Sequence, residues 1–425
     1  MKAAALQLVQ IEKPIYGGAF LARVEGKATF LPLTLPGEQV RIRIAQEKRG
    51  YTNAEVEEIV TAAPERVTPA CQHFGVCGGC HYQHTNYETQ LSFKRDILRE
   101  TLERGGVAVF PEIAVLAAQP WGYRNRIRLA FDTEGNPGYR GRRSHAVIPI
   151  SECPIAAPVL VKAAQAAAVT LRKFALRPTE IALFTNADES ALLVSVFTAS
   201  SNKIRFDEVA LELREGVAAL KGAELVTEGR AGEQPRRIAE WGTTSLAYRA
   251  AGFDYRVDHD AFFQVNRWLI DTFVDQVICG KQGALAWDLF AGVGLFARQL
   301  AGNFSRVVAV ESAPSAMQAL KENLRGSAAS AACDTTLDFL RSRKKTEQPD
   351  LIVVDPPRTG LGAETTALLA AVGATELVYV SCDPATLARD LRELLARGYT
   401  IQSMTLADLF PQTFHLETVV HLRRS

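Results

Sequence analysis

The sequence predicts a multidomain chain with three architectures in succession: a small N-terminal β-barrel, a central α+β region, and a doubly wound α/β domain at the carboxyl end. Three observations predict it. Short strands separated by closely spaced glycine turns fill residues 1–62. Four cysteines, Cys71, Cys77, Cys80 and the distant Cys153, bracket part of the next region. From about residue 260, apolar strand-like runs alternate with helical segments, which argues for a mostly parallel sheet covered on both faces. At 47% hydrophobic and 22% charged, the 425 residues hold ample apolar material for such cores.

The barrel strands are expected near 19–24, 28–33, 38–45 and 54–60, punctuated by Gly17-Gly18, Gly26 and Pro36-Gly37. Their spacing, with no long helix between them, fits a barrel of oligonucleotide-binding type, an architecture that serves several functions. The segment 64–79 reads as a boundary loop. Residues 87–104 form an amphipathic helix with Phe93, Ile97, Leu98 and Leu102 on one side and Gly105-Gly106 as its stop. That helix is a candidate to pack on the carboxyl-terminal domain despite its early position. The domains expected in chain order are 1–62, 63–255 and 256–425. In the last, strands are expected at 284–289, 306–310, 351–354 and 377–380, and helices at 313–325 and 384–397. A further Ala-rich helix is expected at 157–174.

A formal net charge of +1 does not announce a nucleic-acid partner. Charge is uneven, however. Residues 121–145 hold Arg124, Arg126, Arg128, Arg140, Arg142 and Arg143 against Asp132 and Glu134, a local +4. The stretches 123–128 and 140–143 are therefore candidate phosphate contacts. No apolar run approaches the roughly 18 residues of a membrane helix, and the first residues lack a signal-peptide layout. The expectation is a cytoplasmic protein without a membrane partner, and no obligate protein partner is evident.

A disulfide framework is not expected in that compartment. Of seven cysteines, Cys279 follows an apolar helical face and Cys333 ends an Ala-rich strand, so both read as core. Cys71, Cys77 and Cys80 are spaced by five and then two residues. Loop thiolates with a distant fourth ligand suit an iron–sulfur cluster. Zinc is equally compatible, with His73, His81 and His84 close by. The spacing alone leaves both open.

The run from Asp288 to Ala297 leaves the first strand of the α/β domain, and Gly292 and Gly294 let the backbone turn tightly against a ligand. Gly-x-Gly-x-x-Ala alone is equally a dinucleotide fingerprint, and Glu311 at the next strand end suits a ribose in either case. Asp288 ahead of the glycines tilts the balance, because Asp-x-Phe-x-Gly-x-Gly resembles motif I of S-adenosylmethionine-dependent methyltransferases. Asp355-Pro356-Pro357-Arg358 follows a later strand as a proline-stiffened loop of a kind familiar from base methyltransferases.

Cys382 lies in Tyr379-Val380-Ser381-Cys382-Asp383-Pro384. Asp383 and Pro384 fit the cap and first position of a helix. A thiol just ahead of that helix is expected to be favoured as thiolate by the helix dipole. Glu417 follows in a strand that reads as half-buried. A cysteine and a carboxylate are what methylation at carbon 5 of uracil requires. That carbon is a weak nucleophile until a thiolate adds to carbon 6, and its proton must later be removed. Amine methylation needs no cysteine. Cytosine-5 RNA enzymes commonly carry Pro-Cys after the fourth strand, where this chain has no cysteine. An RNA-binding protein without catalysis has no use for Cys382, Glu417 and the glycine loop together.

Taken in order, the barrel, the cysteine set, Phe262-Phe263-Gln264-Val265-Asn266, the glycine loop, Asp355–Arg358, Ser381-Cys382 and His415-Leu416-Glu417-Thr418 resemble the 23S ribosomal RNA (uracil-5-)-methyltransferases of the RNA 5-methyluridine methyltransferase family. The resemblance implies a TRAM-like barrel, a central RNA-binding domain and a Rossmann-like catalytic domain. It implies S-adenosylmethionine and a 4Fe–4S cluster as cofactors, with Cys71, Cys77, Cys80 and Cys153 as cluster ligands. Cys382 matches the nucleophile and Glu417 the base. Gln264, Phe290, Glu311, Asp334 and Asp355 match cofactor contacts beside Gly292 and Gly294. Phe262 matches an aromatic residue near the target base, and Arg358 helps arrange the site. Arg140, Arg142 and Arg143 remain the candidate RNA contacts. The implied partner is RNA, 23S rRNA first, with tRNA as the rival. Leu295 and Asp334 depart from the Asn that some relatives carry.

Overall fold

The computed structural model describes residues 6–199, 205–227, 235–278, 280–343 and 347–424. Strands Gln7–Ile15, Ala19–Val24, Lys27–Pro32, Gln39–Glu47 and Thr52–Thr61 form a closed barrel. The first and fourth strands close it by antiparallel pairing, Val9 opposite Val40. Alternation along the fourth strand turns Val40 and Ile42 inward against Phe20, Leu31 and Ala54 and leaves Arg41 and Arg43 outside. The fully buried Glu38 accepts the backbone N–H groups of Leu35 and Ala63 and pairs with Arg66, tying the barrel to the loop that follows.

The central sheet has seven strands, in the order Arg236–Gly242, Leu220–Thr227, Leu192–Thr198, Pro178–Thr185, Arg126–Phe131, Pro137–Arg140 and Val147–Pro149. Helices Pro158–Lys173 and Phe206–Gly216 pack on it, with Ala163, Ala164 and Ala167 allowing close approach.

The carboxyl-terminal sheet has eight strands. Five run parallel: Ala329–Cys333, Phe304–Glu311, Gly283–Leu289, Leu351–Val354 and Glu376–Ser381. Glu417–Arg424 then pairs antiparallel with Glu376–Ser381, followed by Tyr399–Ala407 and Ile113–Leu116. Helices Ile270–Ile278, Leu295–Leu300 and Pro314–Asn323 fill one face. Helices Tyr87–Arg104, Thr336–Arg343, Gly362–Val372 and Pro384–Ala396 fill the other.

A cut at residue 256 does not follow this packing. Helix Tyr87–Arg104 lays Ile97, Leu98 and Leu102 among Leu387, Leu391 and Leu394, and Ile113–Leu116 extends the sheet edge. The hairpin of Ser245–Ala250 and Phe253–Asp258 buries Tyr248, Tyr255 and Val257 against Phe273 and Phe296. Most of the apolar stripe of each early element is covered by the later domain, while Phe93 reaches back to Phe20 in the barrel and Tyr248 stacks on Phe184 of the central sheet. The expected core positions of two cysteines fare differently: Cys333 is exposed, at the end of a parallel strand on the sheet edge, and Cys279 lies outside the described residues. None of the described helices is long and apolar enough to cross a membrane.

Beneath the early helix sits a buried ion pair. Lys94 Nζ lies 2.6 Å from Asp408 Oδ1, both side chains being fully inaccessible. Tyr87 donates its hydroxyl to Asp408 Oδ2 at 2.8 Å, and Lys94 also donates to the Phe410 carbonyl. Removing one member leaves a buried charge without its partner. Asp408→Ala should therefore destabilise the carboxyl-terminal domain by about 3–5 kcal/mol, measured by urea unfolding.

Candidate active site

Strand register decides which side chains meet. Ser381 pairs with Thr418 across antiparallel strands, so the next step in register sets Cys382 opposite Glu417. Val354 pairs with Tyr379 in parallel, and Leu289 pairs with Val354. Asp355 and Phe290 thus leave the same end of the sheet as Cys382. Glu311 ends the neighbouring strand, with Asp334 just beyond the next. This is the carboxyl-end crevice of an open α/β sheet.

The Cys382 thiol is half-buried, and burial pushes it up to about 12, with Glu417 and Asp355 adding to the rise and Arg358 opposing it. The expected dipole assistance is therefore overridden. Asp383 caps the following helix with its own carboxylate, accepting the N–H groups of Ala385 at 3.0 Å and Thr386 at 2.9 Å. The positive end of that helix thus faces a carboxylate adjacent to the thiol. Glu417, expected on a half-buried strand, is only 5% exposed. Burial raises it well above the carboxylate range, with Asp355 adding to the rise and Arg358 opposing it. Burial pushes Asp355 up to about 7. A carboxylate with raised proton affinity suits proton abstraction near neutral pH.

Arg358 Nη2 donates to His415 Nδ1 at 3.1 Å. Burial, with Arg358 alongside, pushes His415 down to about 3, so the ring is neutral and free to accept. His415 thus links the Asp-Pro-Pro-Arg loop to the segment that leads into Glu417. The sequence placed His415 in its motif without a role, because the link exists only across 57 residues of chain.

The glycine loop fits a methyl donor. Gly292 and Gly294 have φ of 55° and 91°, and Phe290 between strand and loop also has positive φ, 67°. Nothing lies within 4 Å of where a Cβ on Gly292 would stand, which leaves room for backbone to approach a ligand. Glu311 accepts the Gly292 N–H at 2.8 Å and the Ser312 and Ala313 N–H groups, fixing the loop between two strands. Asp334 donates its N–H to the Glu311 carbonyl at 3.2 Å. Asp288 is fully buried; Oδ2 accepts the Ala297 N–H at 2.8 Å, while Oδ1 has no partner among the described residues. Burial pushes Asp288 up to about 8. An unpartnered buried oxygen under the loop suits a cationic or hydrogen-bonding ligand. Gln264 is buried nearby in sequence to Phe262, which is 65% exposed. The Gln264 carbonyl accepts from Asn125 Nδ2 at 2.9 Å, so the central sheet holds this loop.

The four cysteines Cys71, Cys77, Cys80 and Cys153 line one cavity of about 60 Å³, together with Arg124 and Tyr139. Burial raises the Cys77 and Cys153 thiols, and pushes Cys80 up to about 12. Among the described residues, no group of three or more His, Cys, Asp or Glu side chains is arranged to hold a metal ion. His84 instead meets the Thr34 carbonyl at 2.9 Å, and His81 packs edge-on against Phe414.

The basic residues divide. Arg124 lines the cysteine cavity, and Arg126 is packed over Phe184 and donates to the Ala261 carbonyl at 2.6 Å. Burial pushes Arg126 down to about 10. Both are partly buried and held by these contacts. Arg128 pairs with Glu180 at 2.5 Å, and Arg140 lies 3.5 Å from the same carboxylate. Arg140, Arg142 and Arg143 border an open cavity of about 500 Å³ shared with Gly17, Gly78 and His81.

The sequence profile of the tRNA (Uracil-5-)-methyltransferase family matches residues 86–425, and that of the TRAM domain matches residues 5–56. The chain belongs to the tRNA (uracil-5-)-methyltransferase family. It is an S-adenosylmethionine-dependent RNA (uracil-5-)-methyltransferase with a TRAM domain. A relative from Chromohalobacter salexigens, named 23S rRNA (uracil(1939)-C(5))-methyltransferase, is 33% identical over 98% of this chain and 89% of its own. An uncharacterised RNA methyltransferase from Streptomyces avermitilis is 34% identical over 97% of each chain. The fold matches the Pyrococcus abyssi tRNA (uracil-54, C5)-methyltransferase bound to S-adenosyl-L-homocysteine, with a TM-score of 0.78, 22% identity, and coverage of 97% of this chain and 100% of that one. The enzyme thus combines a methyltransferase sheet with a barrel and a central sheet.

With a thiol at about 12, the thiolate fraction grows about tenfold per pH unit below that value. Alkylation of Cys382 by iodoacetamide should accelerate accordingly from about pH 7 to about pH 10 without a plateau. Peptide mass spectrometry separates it from the exposed Cys333. A plateau near neutral pH would contradict the electrostatics described here.

Proposed function

We propose that this enzyme methylates carbon 5 of a uridine in 23S rRNA, with Cys382 as nucleophile and Glu417 as base. The observation that carries the reading is the placement of a thiol and a buried carboxylate on facing strand ends, beside a loop suited to a methyl donor. Near-full-length similarity to a relative named for 23S rRNA supports the substrate.

The chemistry follows from those groups. The target uridine leaves its RNA structure to reach a half-buried thiol. Cys382 loses its proton to water, and the Arg358 charge offsets the cost of the thiolate. The sulfur adds to carbon 6, and the displaced electron pair makes carbon 5 an enolate carbon. S-adenosylmethionine, when bound, would supply an electrophilic methyl group to carbon 5, its methyl–sulfonium bond breaking to leave neutral S-adenosylhomocysteine. Glu417 then accepts the proton from carbon 5. The electron pair returns to the ring, the carbon–sulfur bond breaks, and thiolate is released. Gln264, Phe290, Glu311, Asp334 and Asp355 would hold the donor, and Phe262 would face the base. Arg140, Arg142 and Arg143 would contact phosphates along their open cavity.

RNA substituted with 5-fluorouracil should form a denaturation-resistant adduct with the wild-type enzyme and none with Cys382→Ser. That variant should lose about a thousandfold or more in turnover. Glu417→Gln should retain the adduct on ordinary RNA, since release needs the base. Offered separately, 23S rRNA should incorporate labelled methyl groups and tRNA should not; the reverse would overturn the substrate.

Cys71, Cys77, Cys80 and Cys153 are proposed to hold a 4Fe–4S cluster. Four thiols on one cavity are the donor set such a cluster uses. Cys153 comes from beyond three strands of the central sheet, so the bound group would cross-link that sheet to the cysteine loop. Cys153→Ala should abolish iron and sulfide content and lower the unfolding temperature; full iron content with unchanged stability would exclude this assignment.

A further inference from the structure

A buried polar cluster outside the active site joins the central sheet to the loop that carries Phe262. Ser195 and Glu224 are register partners on the parallel strands Leu192–Thr198 and Leu220–Thr227. His259 directly follows the hairpin strand Phe253–Asp258. The Ser195 hydroxyl donates to Glu224 Oε1 at 2.7 Å, and its oxygen lies 3.0 Å from His259 Nδ1. All three side chains are buried. Arg237 stands 4.0 Å from Glu224 Oε2 and is paired more closely with Glu240, at 3.0 Å. Burial raises Glu224 and pushes His259 down to about 4. The ring is therefore neutral, and its 3.7 Å approach to the carboxylate is not an ion pair. The hydroxyl proton serves Glu224, so the Ser195 oxygen accepts from the ring, which assigns the His259 proton to Nδ1. In a hydrolytic triad the imidazole stands between hydroxyl and carboxylate. Here the hydroxyl stands between the other two and is shut away from any substrate, so the cluster is a link and not a nucleophile.

The link sits at one end of a loop whose other end is held separately. Arg126 donates to the Ala261 carbonyl at 2.6 Å. Asn125 holds the Gln264 carbonyl at 2.9 Å and the Val265 carbonyl at 3.0 Å. Asn266 Nδ2 donates to the Leu409 carbonyl at 3.2 Å, on the approach to Glu417. Ala261 and Phe263 are buried, and Phe262 between them is exposed. The backbone that presents Phe262 is thus fixed by His259 and Ala261 before it and by Phe263 and Gln264 after it.

We propose that His259, acting through Ser195 and Glu224, is a positioning residue for methyl transfer: it fixes the backbone from which Phe262 meets the target base. The proposal rests on the reading of Phe262 given above. A buried chain of this kind holds firmly, because none of its members can let go without leaving an unpaired polar group. Breaking it frees the loop ahead of Phe262. Gln264 and Asn266 keep bonds of their own.

The test compares wild-type enzyme with Ser195→Ala, His259→Asn, His259→Leu, Phe262→Ala and the Ser195→Ala, Phe262→Ala double variant. Ser195→Ala removes the bridging hydroxyl and little volume. It should lower kcat/KM for RNA roughly tenfold and leave KM for S-adenosylmethionine unchanged. Amide hydrogen exchange should quicken over residues 259–262 and stay unchanged in the strands Leu192–Thr198 and Leu220–Thr227. His259→Asn keeps an N–H near the Nδ1 position and should retain most of the activity, whereas His259→Leu should match Ser195→Ala. Phe262→Ala alone should also lower kcat/KM for RNA, and adding Ser195→Ala to it should have no further effect. A further loss in that background, or an equal rise in KM for S-adenosylmethionine, would mark a general weakening and overturn the role. Full activity in Phe262→Ala would refute the reading of Phe262 itself. Unchanged exchange over 259–262 in Ser195→Ala would refute the role of His259 alone.

Discussion

One antiparallel strand makes the site. Five parallel strands deliver the glycine loop, Glu311, Asp355 and Cys382 to one end of a sheet, as open α/β folds do. Glu417–Arg424 enters next to Glu376–Ser381 in the opposite direction. Its beginning therefore lies where its neighbour ends. A strand running the other way would send its first residue to the far side of the sheet, and a carboxylate could not face Cys382 across a shared register.

That geometry needs support from outside the sheet, because the segment Leu409–His415 enters the strand from irregular backbone. Gln412 has positive φ, 67°, at a buried position. Its carbonyl accepts the N–H groups of His81 at 2.8 Å and Tyr82 at 3.1 Å, and its side chain bonds Gln90. Lys94 and Asp408 lock the start of the same segment. The approach to Glu417 is thus held by the cysteine loop on one side and by an early helix on the other. Backbone strain of this kind persists where the surroundings over-determine it.

Much of this was legible in the chain. Helix Tyr87–Arg104 could be read to the residue from its apolar stripe and glycine stop, and Asp383-Pro384 announced a capped helix. The strand Gln7–Ile15 was not legible, because its pattern Gln-Leu-Val-Gln-Ile-Glu-Lys-Pro-Ile buries Val9 and Ile11 but leaves Leu8 exposed. The ionisation of Cys382 was misread for a different reason. A helix dipole is a local property, whereas Asp355 and Glu417 reach the thiol from separate strands. Arg124 and Arg126 show the same limit: a run of arginines looks solvated until the cysteine loop and the Phe184 ring are seen to engage two of them. Asp288 was read for its place ahead of the glycines, yet its unpartnered oxygen appears only once the loop is folded over it.

The edge strand Ile113–Leu116 has one further implication. It lies parallel to Tyr399–Ala407, nearly three hundred positions later, with Met404 opposite Ile113. Contacts of such long separation form late and slowly. On the ribosome, the barrel can close while the rest of the chain is still being made. The Ile97, Leu98 and Leu102 face of the early helix and the edge strand must instead remain without their partners until the last tenth of the polypeptide has emerged. Their apolar faces are uncovered during that interval, so the order of synthesis sets how long they stay open to wrong partners.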